Sequence, residues 1–202
     1  MSPGQTFERV YLALKEQLRS GRHLPGAQLE PAVLTDELCS SVTPIRDALH
    51  RLVGERLVEA PRNDGFRVPI LNEFGLRQLY GWQTALLRLA VAELSSQQTD
   101  RAAESDGSAQ VEPSDAEDPF LALARGTLNS ELGAALLNAC DRLAHLRELE
   151  ERFIPGREEE LEQLRVLTNT HDSSGFRNAI AAFSRRRDRA VPHIVAALQG
   201  SY

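Results

Sequence analysis

Ser41, Thr43, Arg46 and His50 lie within ten residues of one another, and Arg62, Gly65 and Arg67 follow within seventeen more. Hydroxyls at the start of a helix suit phosphate, because the backbone N–H groups there also point at anions. Ser41 and Thr43 are placed for that. Arg46, a turn further in, is long enough to reach the O6 and N7 edge of guanine. His50, four residues on, shares its helix face. Arg62 and Arg67 flank a turn whose Gly65 permits close approach to a groove. This set holds donors and cations but no nucleophile with an attendant base. Its chemistry is recognition of a polyanion, and double-stranded DNA is the expected partner.

The surrounding pattern supplies the elements that position these residues. Leu34 and Leu38 lie four apart on one helical face, and Ser40-Ser41 break the pattern. Thr43-Pro44 open a second helix, since proline in a first turn loses no needed N–H. There Ile45, Ala48, Leu49, Leu52 and Val53 keep the apolar 3–4 spacing. Leu57-Val58 begins a strand, Asn63-Asp64-Gly65 makes a tight turn, and Phe66–Val68 returns. Leu29–Val68 therefore reads as two short helices and a β-hairpin, the shape of a winged helix-turn-helix. The same shape also fits a small α/β domain without a ligand. Residues 6–20 form a preceding helix, in which Phe7, Val10, Tyr11, Leu14 and Leu18 make one apolar stripe.

Beyond residue 70 no strand-like alternation occurs. Glu73 to Leu94 predicts a long helix, apolar over a wide arc, with Trp82 packed in the core. Residues 95–117 hold one large aliphatic side chain, Val111, among Gly, Pro and acidic residues, and predict a flexible loop. Helical spacing resumes around Phe120–Leu128, Leu132–Phe153, Arg157–Thr168 and Ser173–Leu198, with Pro192 expected to kink or split the last. The fold class is mainly α, with a DNA-binding domain over residues 1–70 and an all-helical domain over 71–202.

Composition agrees with a folded chain of 202 residues, 42% hydrophobic and 26% charged. The net charge of −6 is unevenly divided. Residues 1–70 hold nine basic and nine acidic groups, so the whole deficit lies beyond them. Phosphate binding needs only a local cluster of cations, so the acidic total does not exclude DNA. No apolar run approaches the ~20 residues of a membrane helix. The N-terminus lacks the basic and apolar regions of an export signal, and Cys39 and Cys140 stand far apart. A cytoplasmic protein without membrane contact is expected. No phosphate loop, nucleophile elbow or metal cluster appears, so neither an enzyme nor a cofactor is expected.

The stretch Ser41-Val42-Thr43-Pro44-Ile45-Arg46-Asp47-Ala48-Leu49 carries a resemblance, with Leu34-Thr35 before it and Leu52, Leu57-Val58 and Gly65 after it. It resembles the DNA-binding domain of GntR-type transcriptional regulators. The turn from Ser20-Gly21 through Leu24-Pro25-Gly26 to Leu29 fits the same resemblance. Two departures stand out: Val42 occupies the place of a motif arginine, and Ala32 aligns near another. The helical half more loosely resembles the FCD domain of the FadR-like subfamily, through Phe120, Asn129–Leu132 and His171-Asp172.

That second resemblance implies a divalent metal held by one aspartate and three histidines. Here the corresponding places hold Phe120 or Leu121, Leu161 or Glu162, and Phe183 or Ser184, so no metal is expected. Asp141 with His145, and His171 with His193, remain as stray spacings. An effector would instead meet Arg142, His145 and Arg186, or an apolar pocket around Phe120, Phe153, Phe176 and Phe183. Of the run Arg185-Arg186-Arg187, at most one should point inward. The resemblance implies a ligand-responsive repressor acting as a homodimer on a palindromic operator, its effector an organic acid or an apolar molecule. The alternative is an effector-independent DNA binder with a vestigial ligand domain.

Overall fold

The computed structural model describes residues 3–62, 64–103, 118–169 and 172–200. By their contacts they form two units. The first is the chain up to Asn72 with Asp141–Arg147, and the second is Glu73–Cys140 with Glu148–Gly200.

In the first unit, α1 (Pro3–Arg19), α2 (Pro31–Leu38) and α3 (Val42–Gly54) enclose one core. Val10, Tyr11, Leu14 and Leu18 of α1 meet Leu34 and Leu38 of α2 and Ile45, Ala48, Leu49 and Leu52 of α3. Within each helix they recur at intervals of three or four, with Val10-Tyr11 and Ala48-Leu49 as adjacent pairs, so each helix presents a single buried stripe. α3 begins at Val42 rather than Thr43, with Ser41 as an extended N-cap (φ −78°, ψ 165°). Pro44 still falls in the first turn, where its missing N–H has no acceptor to lose.

The turn between α2 and α3 depends on Cys39, a non-glycine in the left-handed region at φ 45°. The Arg9 guanidinium donates to the carbonyls of Leu38 (2.9 Å) and Cys39 (3.2 Å), tying α1 to that turn. After α3 the expected hairpin is short. Glu59 and Arg67 exchange backbone hydrogen bonds at 2.8 and 2.9 Å. On the other side of the 66–68 segment, Leu29 N–H donates to Phe66 and Val68 N–H to Ala27. The pairing among the described residues amounts to isolated antiparallel bridges at Arg67, with no continuous strand. Pro61 and Pro69 bracket the pairing, and neither can donate to a ladder.

The remaining helices are α4 (Glu73–Ala103), α5 (Pro119–Gly126), α6 (Ser130–Leu143), α7 (Arg147–Phe153), α8 (Arg157–Asn169) and α9 (Ser173–Gln199), and all but Asp141–Leu143 of α6 and Arg147 of α7 belong to the second unit. Its core joins Leu86, Leu87 and Ala90 to Phe120, Leu123, Leu136, Leu164, Phe176, Ile180 and Phe183. α5 and α6 approach closely at Gly133, where a Cβ would meet the Ala124 carbonyl at 2.5 Å.

Four expectations are corrected here. α4 runs nine residues past Leu94, because Ser95–Ala103 contains no glycine or proline to stop it. The rest of the expected loop, 104–117, lies outside the described residues. Trp82 is 49% exposed rather than core. The single helix expected over Leu132–Phe153 is interrupted by a 3₁₀ turn at Ala144–Leu146. Finally, α9 passes through Pro192 unbroken. Asp172 caps it, accepting from the N–H groups of Ser174 and Gly175, which hold its carboxyl below the usual range.

Candidate nucleic-acid interface

α3 divides sharply between its faces. Ile45, Ala48, Leu49 and Leu52 are 0% exposed, while Ser41, Val42, Thr43, Arg46, Asp47 and His50 face outward. The buried face fixes the helix, so the outer face is presented rigidly. The Ser41 side chain makes no capping bond, leaving its hydroxyl outward at the helix N-terminus. Among the described residues Arg46 has neither an ion pair nor a hydrogen-bond partner, so its guanidinium is available to an anion. Arg51, one turn on, is not available. It pairs with Glu8 (3.3 Å) and Glu55 (3.5 Å) and lies 3.8 Å over the Tyr11 ring.

His50 meets Phe66 edge to face, with ring centroids 5.0 Å apart. That contact joins α3 to the turn carrying the other candidates. Gly65 has φ +66°, the left-handed conformation a tight turn requires. Arg62 is exposed and unpaired among the described residues. Arg67 is engaged by Glu59 (3.1 Å) and Asp64 (3.6 Å), which neutralise it locally. Asn63, expected in the turn, lies outside the described residues.

The sequence reading named Val42 only as a departure from a motif and passed over Arg9. Val42, 39% exposed, places an apolar side chain in the first turn of α3. Arg9 sets the preceding turn, and its partners lie about thirty positions away, where periodicity gives no signal.

The three effector candidates are divided between the units. Arg142 and His145 lie in the first unit and Arg186 in the second. Burial lowers the basicity of Arg142, with Arg56 adding to it, and burial holds His145 at about 4. Asp141 is engaged by Lys15 (2.7 Å) and Arg19 (3.2 Å). Arg186 pairs with Glu160 (3.2 Å) and donates to the Pro155 carbonyl. The arginine that points inward is Arg187, 1% exposed, bound by Glu160 and 3.6 Å from Glu150. Its guanidinium lies 3.3 Å over the Phe183 ring. Glu150 also accepts from Tyr80 (2.8 Å) and Arg157 (2.9 Å). Of the expected apolar lining, Phe120, Phe176 and Phe183 share the core, whereas Phe153 stacks on His193. His171 lies outside the described residues. Among the described residues no three potential ligands group to hold a metal.

The architecture is a helix-turn-helix followed by antiparallel bridges, with further helices after it. Residues 6–68 match the family described as bacterial regulatory proteins, gntR family. The chain is 33% identical over 86 residues to the HTH-type transcriptional repressor GlaR of Escherichia coli K12, covering 41% of this chain and 39% of that one. It is 37% identical over 91 residues to the HTH-type transcriptional regulator McbR of the same organism, covering 42% and 40%. The match thus spans about two fifths of these relatives. Over the whole chain the fold resembles E. coli McbR/YncC, with a TM-score of 0.61 at 20% identity, covering 98% of both chains. It also resembles a GntR regulator of Rhodococcus sp. RHA1, with a TM-score of 0.59 at 16% identity, covering 97% and 98%. Among the described residues no helix is long and apolar enough to cross a membrane.

Proposed function

We propose that this chain is a sequence-specific, DNA-binding transcriptional regulator of the gntR type, built as an N-terminal reader with a FadR-like, FCD-type helical domain. α3 enters the major groove. Arg46 reads a base edge, Ser41 and Thr43 hold phosphate, and His50 braces the wing. Arg62, Gly65 and Arg67 lie along the flanking groove. The protein acts as a cytoplasmic homodimer on a palindromic operator, and GlaR's description as a repressor supports repression as the sign. The observation that carries this reading is Arg46, outward and unpaired among the described residues, on a helix anchored by its opposite face. The test is enrichment of bound duplexes from a random pool, followed by fluorescence anisotropy on the selected site. Arg46→Ala weakens specific binding at least tenfold and non-specific binding much less. Failure of any sequence to enrich overturns the reading.

Response to a small organic acid or an apolar effector is the regulatory half of this proposal. A second reading has its own support. Arg142, His145 and Arg186 stand in different units, and Arg187 is neutralised by Glu150 and Glu160. On that reading DNA binding is effector-independent. A thermal-shift screen of small carboxylic acids and apolar ligands separates the two, because a ligand that binds the native state raises Tm.

A further inference from the structure

α4 carries two apolar faces, and the protomer uses one. Leu76, Leu79, Tyr80, Gln83, Leu86, Leu87 and Ala90 are buried. On the other side Phe74, Trp82 and Leu89 are 72%, 49% and 57% exposed, with Gln78, Gly81, Ala85 and Ala92 exposed between and beyond them. Their spacing keeps them on one stripe of about five turns. Gly81 adds a separate observation. It sits inside the helix, where glycine weakens a helix relative to alanine, and a Cβ there would meet nothing within 4 Å. Among the described residues nothing requires a glycine at that place, whereas a closely approaching backbone would.

We propose that this face seats a second copy of this chain, with the two α4 helices antiparallel about a two-fold axis at Gly81-Trp82. The inference rests on the homodimer reading above and places its interface. The stripe is self-complementary about that point. In an antiparallel pair Phe74 comes level with the partner's Leu89, and Gln78 level with the partner's Ala85, so a long side chain meets a short one. The two tryptophans meet across the axis on one edge. On the other edge the paired glycines let the helices close. Such an interface is isologous, the symmetry a palindromic site demands. The stripe would bury on the order of 600 Å² per protomer, at the lower edge of what a stable pair buries.

The test is sedimentation equilibrium of the full chain, with emission of its single tryptophan as a second readout. The wild type is expected to be a dimer whose Trp82 emission shifts to the blue as concentration rises. Gly81→Gln fits the open space and favours the helix, so it should keep the circular dichroism spectrum and Tm. It should nevertheless raise the dimer Kd at least tenfold, as should Trp82→Ser. Wild-type affinity in Gly81→Gln, or Trp82 emission unchanged through dissociation, places the interface elsewhere and overturns the proposal while leaving the homodimer standing. A wild type that stays monomeric both free and on palindromic DNA overturns both, and leaves this face to a different partner.

Discussion

The backbone carbonyl of Asp188 accepts a hydrogen bond from the guanidinium of Arg77 at 2.8 Å. In an unbroken helix that carbonyl would accept from residue 192, but residue 192 is a proline without an N–H. Arg77 on α4 therefore supplies the donor that α9 lacks, and this is one reason α9 continues through Pro192. Arg77→Ala should destabilise the protein by about 1–2 kcal/mol. In a Pro192→Ala background the helix recovers its own bond, so the same change should cost measurably less. A double-mutant cycle by urea denaturation checks this, and equal costs in both backgrounds would refute the link.

Arg187 presents a larger liability. It is buried against Glu150 and Glu160, with Tyr80 and Arg157 completing the cluster. Removing one partner of a buried charge group leaves the others uncompensated, so Arg187→Ala should cost about 3–5 kcal/mol. Arg186→Ala, at a site about a third exposed, should cost under ~1 kcal/mol. Replacing Arg187 by Met together with Glu160 by Leu should recover much of the loss, because charge and counter-charge leave together. Thermal denaturation of the three variants orders them.

His145 sets a pH dependence. Burial holds it at about 4, with the Arg142 backbone acting weakly in the opposite sense. The folded protein therefore keeps it neutral at pH values where the unfolded chain binds a proton. Above pH 6.5 the two states hold the same number of protons and the residue contributes nothing to the slope. Between 6.5 and 4 the unfolded state takes up the proton and stability falls, by roughly 2–4 kcal/mol in all. Denaturant titrations at pH 7.5 and 4.5 should show that fall in the wild type and a smaller one in His145→Gln.

Much of the first unit was legible because its signals are local. The stripes of α1 and α3, Pro44 in the first turn of α3 and the turn glycine at 65 each act within a few residues. The second unit was less legible because its decisive contacts are distant. Nothing in Arg185-Arg186-Arg187 says which arginine finds carboxylates on two other helices, and the structure buries Arg187. Trp82 was misplaced because its spacing, three past Leu79 and four before Leu86, sets it at the edge of the buried stripe, and periodicity alone does not say where that stripe ends. The end of α4 was misread because loss of apolar spacing was taken as loss of helix. Ser95–Ala103 is polar, yet nothing in it breaks a helix. The wing was expected as a hairpin, but its pairing closes after single bridges between Pro61 and Pro69.

Those bridges make Arg62 and Arg67 unequal. Both flank the turn at Gly65, but Arg67 is held by Glu59 and Asp64, whereas Arg62 is exposed and unpaired among the described residues. A phosphate approaching Arg67 must compete with two carboxylates, and one approaching Arg62 competes with water. Arg62→Ala should therefore weaken binding across all sequences and reduce the salt slope by about one. Arg67→Ala removes no free cation but leaves Glu59 and Asp64 uncompensated, so it should weaken binding by repulsion, most at low salt. Glu59→Gln removes one restraining carboxylate while keeping the backbone pair with Arg67, and should tighten binding several-fold at low salt. Anisotropy at 50 and 200 mM salt measures all three. Weaker binding by Glu59→Gln would mean that Glu59 positions the Arg67 guanidinium rather than screening it.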